Sequence, residues 1–468
     1  MAGKDNPLLA YGGWLASATG DWPEAALRAA HNAFVDTLGV AIPGAAEAVT
    51  LKVLTTVRPW GEGPCTVIGA EVRLAAPWAA LVNGTAAHAL DFDDNFDPAK
   101  AHASAVLVPA ILALAEQEAA SGRDCLDAYI AGLQIMGRVG QGVNPAHRNR
   151  GWHATATVGA IGAAAACARL LRLGEREAAY ALSIATSMAG GFMSQFGTST
   201  KPVHAGLAAK AGVMAASLAR AGIDAGLATL DGPTGMNRLM VGPDYEQLRD
   251  GLTHVEHGQT LRFETAKIGD PLLIQSSGFR VKRFPNCGSA HRSMDAVLEL
   301  KERHGFRVED IAEVNVWAPV SHLNNLMYET PRDALQAKFS LEYGVAVALL
   351  TGNCTLADFT DEAVADPRVE ALYPRIRRHP VDKAEGEFPT RVEIRLSDGR
   401  RVETAVPMPV GSLAAPFSLD QYWAKFEGCG QGLLAPARLA ELRQALAEMP
   451  QSRSIKPMMA IMAGPFAS

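Results

Sequence analysis

The segment from His88 to His102, HALDFDDNFDPAKAH, concentrates carboxylates and imidazoles in one short stretch. Its acidic residues follow an apolar helical stretch and are Asp91, Asp93 and Asp94. Side chains of these two types are suited to proton transfer, and they also serve as ligands of divalent metals. An acidic cluster is more often a solvated helix end. Because the segment contains Lys100 and matches neither an EF-hand loop nor HExxH, we favour an acid/base or structural role and predict no metal.

Two further segments place cations or imidazoles where a loop meets a helix. His153 opens an alanine-rich helical stretch, where the helix dipole disfavours the imidazolium and leaves a neutral base or donor. Lys201 and His204 lie in GTSTKPVHAG before another helix, and N–H groups at a helix start beside a lysine suit a carboxylate. Taken singly, His153 is typical of a satisfied, partly buried histidine and Lys201 of a solvent-facing loop.

The second half of the chain repeats this pattern. Lys282 lies in KRFPNC, where Cys287 is either a thiol nucleophile or a small buried side chain. His322 alone indicates a surface loop. Since such groups recur at loop-to-helix junctions throughout the chain, a cleft between two domains would gather them around one anion. The sequence has no dinucleotide fingerprint, Walker loop or nucleophile elbow, so no nucleotide cofactor is predicted.

Length and composition narrow the class of protein. A chain of 468 residues exceeds one ordinary core, which predicts two domains. A hydrophobic share of 48% excludes disorder as the main state. The 43 basic and 49 acidic residues give a net charge of −6, which argues against nucleic-acid binding. An anionic substrate must therefore be attracted by a local basic pocket.

Cysteine spacing and apolar stretches address the compartment. The six cysteines form no CxxC pair, so neither disulfides nor a cysteine-rich metal centre is predicted, and a reducing cytoplasmic location is expected. The N-terminus, MAGKDNPLLAYGGW, has no signal-peptide pattern. The apolar stretch Ala154–Ala168 is too short to span a bilayer, so no membrane association is predicted.

Periodicity predicts a mainly α protein with a smaller α+β domain. From about Pro23 to Ile268 the pattern is helical and rich in alanine, which favours closely packed helices. After Asp270, Ile311–Trp317 alternates like a strand, and two alternating runs flank the turn Ser397-Asp398-Gly399-Arg400. After Pro409 the pattern is helical again. We therefore predict a large helical domain from residues 1–268 and 410–468, and an α+β domain from residues 269–409.

Several motifs in this order resemble the MmgE/PrpD family, which includes 2-methylcitrate dehydratase, cis-aconitate decarboxylase and iminodisuccinate epimerase. The matching segments are NGTAAHALDFDD with the following His102, GWHATATVGAIGAAAA, GTSTKPVHAGLAAKAGV, KRFPNCGSAH, AKFSLEYGVAVALL and PVGSLAAPFSLDQYWAKFEGC. They span nearly the whole chain.

The resemblance implies a homodimer whose α+β domain is an inserted lid. It also implies a cleft site that acts on a small di- or tricarboxylate without metal or organic cofactor. The family's site positions fall on Asp91, His102, His153, Lys201 and Lys282. We further expect substrate contacts from Asn95, His204, Cys287 and His322.

The expected chemistry is formation of a carbanion next to a carboxylate. His102 or His153 would be the base, Lys201 and Lys282 would bind carboxylates, and Asp91 would orient an imidazole or hold a proton. Loss of a β-hydroxyl makes a dehydratase, which we favour, and reprotonation makes an epimerase. Loss of carbon dioxide makes a decarboxylase, and a catalytically silent carboxylate-binding protein is the non-enzyme alternative.

Four differences set this sequence apart from the decarboxylase branch. This sequence has His322 in the region where the decarboxylase branch typically has a tyrosine. It has Cys287 where that branch has a histidine, and Asn95 where that branch has a threonine. One extra residue also lies between Asp94 and His102.

Overall fold

The computed structural model describes residues 6–383 and 386–466. The chain divides into a helical unit, formed by the chain up to Phe279 and again from Ser418, and a second unit, Arg280–Phe417. The predicted class, mainly α with a smaller α+β part, is confirmed. The predicted domain ranges also include residues 1–5, 384–385 and 467–468, which lie outside the described residues. The stretch examined for a signal-peptide pattern likewise begins with residues 1–5.

The first segment of the helical unit is a series of helices interrupted by one antiparallel strand pair. The helices are α1 Pro7–Ser17, α2 Glu24–Ala46, α3 Ala48–Val57, α4 Ala76–His88, α5 Ala103–Glu118, α6 Gly122–Val143, α7 Ala146–Asn149, α8 Ala154–Leu170, α9 Glu175–Thr186, α10 Thr200–Arg220, α11 Tyr245–Asp250 and α12 Leu273–Ser276. The strands are β1 Glu62–Thr66 and β2 Arg73–Leu74. The sequence patterns did not predict α1 or this strand pair.

Small residues let α4 and α10 approach closely. A Cβ added to Gly84 would lie 2.8 Å from Cα of Gly206, and one added to Gly206 would lie 2.2 Å from the carbonyl oxygen of Leu81. Larger side chains would force the two backbones apart. His88 ends α4 and Lys201 lies in the first turn of α10, so this contact brings the two ends near each other.

The second unit packs short helices on a mixed sheet. Its helices are α13 His291–His304, α14 Val320–Asn325, α15 Ala334–Ala337, α16 Leu341–Thr351, α17 Asp361–Val364 and α18 Pro367–Glu370. Its strands are β3 Ile311–Pro319, β4 Ile376–Val381, β5 Thr390–Leu396 and β6 Arg401–Val406, in the order β4-β3-β5-β6.

Strand pairing in this sheet confirms one prediction and adds a strand. β5 and β6 form the predicted hairpin, with Gly399 in the turn at a φ of +88°. β4 runs parallel to β3 at one edge of the sheet. It contains Pro380 and the adjacent charged residues Arg377 and Arg378, a composition that masks a strand signal but is tolerated at an edge.

The C-terminal segment returns to the helical unit as α19 Leu419–Gly430, α20 Pro436–Glu448 and α21 Lys456–Ile461. Helix α19 packs against α2, where a Cβ on Gly39 would lie 3.1 Å from Cα of Phe426. No single helix among the described residues is long and apolar enough to cross a membrane, although α2 and the bent segment after it pass that test as a pair.

The two units meet along the chain after Phe279 and after Phe417. Both boundaries lie further along the chain than the predicted ones, which follow residues 268 and 409. Residues 270–279 pack on the helical unit, where Arg138 Nη2 donates to the Asp270 carbonyl at 3.3 Å and Phe279 contacts Phe96. At the other boundary, Val410 N donates to Asp295 of the second unit at 2.9 Å. At both boundaries the sequence pattern changes about ten residues before the chain passes from one unit to the other.

Candidate active site

The loop after α4 places a carboxylate against a buried ammonium. Asp91 Oδ1 lies 2.6 Å from Lys201 Nζ, and both side chains are 7% exposed. The backbone of Asp91 is left-handed, with a φ of +53°, a conformation that aspartate tolerates better than most residues. Lys201, which by itself indicated a solvent-facing loop, is thus a buried partner of Asp91.

His102 is held in one orientation at the start of α5. Its backbone N–H donates to Thr155 Oγ1 at 3.1 Å, and its Nδ1 lies 2.9 Å from the carbonyl oxygen of Asp94. Because a carbonyl only accepts, Nδ1 carries the hydrogen, and the Nε2 of the neutral ring carries the lone pair. That Nε2 lies 4.0 Å from Asp91 Oδ1. The ring therefore presents its basic nitrogen toward the Asp91–Lys201 pair.

Asp93 lies between two imidazoles. Its carboxylate accepts from His88 Nδ1 at 2.9 Å and lies 3.2 Å from His102 Nδ1. Burial lowers the pKa of His88 to about 4. Although burial opposes it, His88 and His102 hold the pKa of Asp93 well below its usual range. A fixed anion behind Nδ1 stabilises the imidazolium that forms when Nε2 takes a proton. The motifs of the sequence had not included His88 and Asp93 among the expected site residues.

A second imidazole pair lies beside the first. His153 Nδ1 is 3.0 Å from His204 Nδ1, so one ring donates and the other accepts. Burial, with help from Lys201, lowers the pKa of His153 well below its usual range, and burial lowers that of His204. The Phe196 ring contacts His153 edge-on and lies 5.5 Å from Lys201 Nζ. No spacing pattern in the sequence distinguishes Phe196.

Three helix starts meet at this cluster. His102 precedes α5, His153 precedes α8, and Lys201 lies in the first turn of α10. Helix N-termini carry partial positive charge, which adds to the lysine ammonium and favours an anion. Asn95 is half-buried in the same loop.

The remaining predicted site residues belong to the second unit. Lys282 and His322 are buried there, and Cys287 is half-buried. His322 alone had indicated a surface loop, but it lies on α14, which packs against the 3-10 turn Gly288–Ala290. Asn325 of α14 donates to Ser289 Oγ at 2.9 Å. Cys287 and His322 thus lie on neighbouring elements.

Four side chains approach the spacing of a metal site. One ligand atom from each of His88, Asp91, Asp93 and His102 lies within 4.8 Å of the others. The donor set, however, is already engaged in other contacts, since the Lys201 ammonium binds Asp91 and His88 binds Asp93. A divalent cation would have to displace that ammonium, and this favours acid/base chemistry over metal binding.

The same loop carries a buried carboxyl group whose pKa is raised, that of Asp94. Asp94 accepts from the hydroxyl and the backbone N–H of Ser104, and that hydroxyl lies 2.6 Å from the Tyr129 hydroxyl. Burial raises the pKa of Asp94 to about 7, and Asp36 and Asp93 add to the shift. The protonated form therefore dominates in the folded protein under mildly acidic conditions.

This shift predicts a pH-dependent stability. The unfolded pKa is about 3.8 and the folded pKa about 7, so the contribution of Asp94 is fully present at low pH and is lost as pH rises toward 7. Asp94→Asn cannot ionise. From about pH 5 to about pH 8, the variant should gain about 2–3 kcal/mol in unfolding free energy relative to the parent protein. Urea unfolding at both pH values measures this, and an equal difference at both would contradict it.

Comparison with known proteins agrees with these motifs. The MmgE/PrpD N-terminal domain model matches residues 14–248, and the C-terminal domain model matches residues 284–448. The chain is 28% identical to cis-aconitate decarboxylase of Mus musculus, over 87% of this chain and 83% of that protein. It is 27% identical to cis-aconitate decarboxylase of Aspergillus terreus, over 96% and 94%. The chain belongs to the MmgE/PrpD family.

Proposed function

We propose that this protein is a lyase that removes a proton next to a carboxylate of a small di- or tricarboxylate and expels a β-hydroxyl as water. The observation that carries this proposal is the orientation of His102, whose basic Nε2 lies 4.0 Å from the carboxylate bound by Lys201. A base beside a buried cation is the arrangement that carbanion formation next to a carboxylate requires.

The electron flow uses groups of the helical unit. His102 Nε2 takes the carbon-bound proton, and the electron pair of that bond moves onto the neighbouring carboxylate. The Lys201 ammonium stabilises the added negative charge, while Asp93 stabilises the imidazolium. The pair then returns to form the double bond as the β-carbon–oxygen bond breaks. The proton held on His102 Nε2 passes to the leaving oxygen, which completes the water and returns the imidazole to its neutral form. We assign Lys282, His322, Cys287 and Asn95 to substrate binding.

Decarboxylation is the second candidate, because the relatives described above are named cis-aconitate decarboxylases. Loss of carbon dioxide leaves a carbanion of the same kind, which is then protonated. The differences at His322, Cys287 and Asn95 favour dehydration over this outcome. Epimerisation uses the same proton removal followed by reprotonation on the opposite face.

Proton NMR in deuterated solvent separates these outcomes. A panel of di- and tricarboxylates is first screened by thermal shift, since a ligand at a hundredfold excess over its Kd stabilises by about 2.7 kcal/mol. Alkene formation with retention of all carboxylates supports the dehydratase. Release of carbon dioxide supports the decarboxylase, and α-proton exchange without an alkene supports the epimerase. Binding without any conversion supports a silent carboxylate-binding protein.

We also propose a homodimer. The helical unit exposes apolar side chains on α10, Leu207 and Leu218, and Leu51 on α3 is 49% exposed. Burial of such side chains at an interface would be favourable. Light scattering should give twice the chain mass of 49.4 kDa, and a mass of one chain would contradict the dimer.

Chelation should leave turnover unchanged. In the proposed chemistry the Lys201 ammonium, which lies 2.6 Å from Asp91 Oδ1, stabilises the developing negative charge in place of a divalent cation. The rate on a substrate identified by NMR is measured before and after prolonged treatment with a chelator, with buffer-treated protein as the control. Loss of activity that one divalent metal restores would overturn the metal-free mechanism.

A further inference from the structure

A buried lysine of the C-terminal helix α19 contacts the loop that carries the candidate base and its partners. Lys425 Nζ donates to the Phe92 carbonyl oxygen at 2.8 Å and lies 4.0 Å from the centre of the Phe92 ring. The same ammonium lies 2.7 Å from Asp36 Oδ1 on α2. The side chains of Lys425 and Asp36 are 7% and 3% exposed. The ammonium therefore contacts the loop and α2 at once.

The contact between Lys425 and the Phe92 carbonyl affects the neighbouring residue Asp93. Phe92 lies between Asp91 and Asp93, and its carbonyl belongs to the peptide unit that enters Asp93. A donor on that oxygen fixes the peptide plane. The plane in turn sets where the Asp93 carboxylate meets His102 and His88. The contact therefore acts on the peptide bond that joins Phe92 to Asp93, the residue whose carboxylate lies 3.2 Å from His102 Nδ1.

Stability alone does not account for a charged residue here. Removing two charges from water costs several kcal/mol, and a well-packed apolar pair is often equally or more stable. The neighbouring residues of α19, Trp423 and Phe426, are buried and apolar. An apolar residue at 425 would extend that surface, but it could not donate to the Phe92 carbonyl.

We propose that Lys425 is a positioning residue for the reaction, holding the Asp91–Asp93 loop in the geometry that orients His102. This proposal rests on the function proposed above. Lys425 acts through Phe92 and Asp93 and does not itself handle the substrate. The proposal makes α19 a working part of the active site, although its sequence lies more than three hundred residues from the loop.

The first test separates positioning from stability. Lys425→Met removes the donor, and Asp36→Asn combined with Lys425→Met also removes the buried charge that would remain. We expect kcat to fall about 10- to 100-fold in both, with little change in KM, because small displacements of reacting groups cost that much. The double variant should regain much of the Tm that the single variant loses. Lys425→Arg keeps a donor and should restore part of kcat.

Arg169→Met provides the matched control. Arg169 Nε lies 2.6 Å from Asp127 Oδ2 in another partly buried ion pair of the helical unit. This variant should lower Tm while leaving kcat unchanged. If kcat instead follows Tm across all variants, or returns in the double variant, Lys425 serves only the fold and the proposal is wrong.

Hydrogen exchange followed by mass spectrometry tests the loop without any substrate. Peptides covering residues 88–102 should exchange faster in Lys425→Met and in the double variant than in Arg169→Met. Unchanged exchange in these peptides would contradict the proposal even if activity fell. If no carboxylate is converted by the parent protein, the proposed function fails, while the exchange result still decides whether Lys425 holds the loop.

Discussion

Replacing His102 with glutamine should lower kcat by about 10²- to 10⁴-fold, which is the usual contribution of a positioned general base. The glutamine amide is similar in size and can donate to the Asp94 carbonyl, as His102 Nδ1 does at 2.9 Å. It has no basic nitrogen to face Lys201. The change therefore removes the proton acceptor and leaves the loop contact in place, so KM and Tm should change little. Steady-state kinetics on the identified substrate, with a Tm measurement, test this.

His31→Gln is the matched control for this variant. His31 is also a ring in the helical unit whose nitrogen lies 2.7 Å from a backbone carbonyl, that of Leu446. It lies outside the cluster, so kcat should stay at the parent value. Unchanged turnover in His102→Gln would remove His102 from its role as base, and His153 would then be the group to test.

Lys201→Met should remove both activity and stability. The variant leaves the Asp91 carboxylate buried without the ammonium at 2.6 Å, and breaking such a pair costs about 3–5 kcal/mol. It also removes the cation that stabilises the developing negative charge, which should lower kcat by about 10²- to 10³-fold. Urea unfolding and steady-state kinetics measure the two effects separately.

Asp91→Asn combined with Lys201→Met separates the effect of the buried unpaired carboxylate from the effect of the missing cation. The double variant buries no unpaired charge, so most of the lost unfolding free energy should return. Its kcat should stay low, since the cation is still missing. Recovery of kcat together with stability would mean that Lys201 is only structural.

Periodicity predicted the helical first part of the chain, the strand at Ile311–Trp317 and the hairpin, because burial repeats along the chain at fixed spacing. Local chemistry also marks where a helix starts, since Ser340 precedes the apolar run of α16 and its side chain accepts from the backbone N–H of Tyr343. β4 was missed because its charged, proline-containing sequence hides its pairing with β3. That pairing depends on residues far apart in sequence, which local patterns do not report.

The candidate site shows the same limit more sharply. Motifs pointed to Asp91, His102 and Lys201 separately, but no local pattern reports that Asp91 and Lys201 touch across 110 positions. The tautomer of His102 depends on the backbone carbonyl of Asp94. Every residue has such a carbonyl, and the sequence does not reveal which one contacts the ring. Lys425 lay inside a recognised motif, yet only its burial against Phe92 and Asp36 shows what it contacts.

The close contact between Gly84 and Gly206 makes this protein vulnerable to substitutions that change no reactive group. A single added methyl at Gly84 would lie 2.8 Å from Cα of Gly206, and the helices would have to separate. Because α4 leads into Asp91 and α10 carries Lys201, their spacing sets the distance between carboxylate and ammonium. Natural selection should therefore preserve Gly84 and Gly206 as strictly as Lys201 itself.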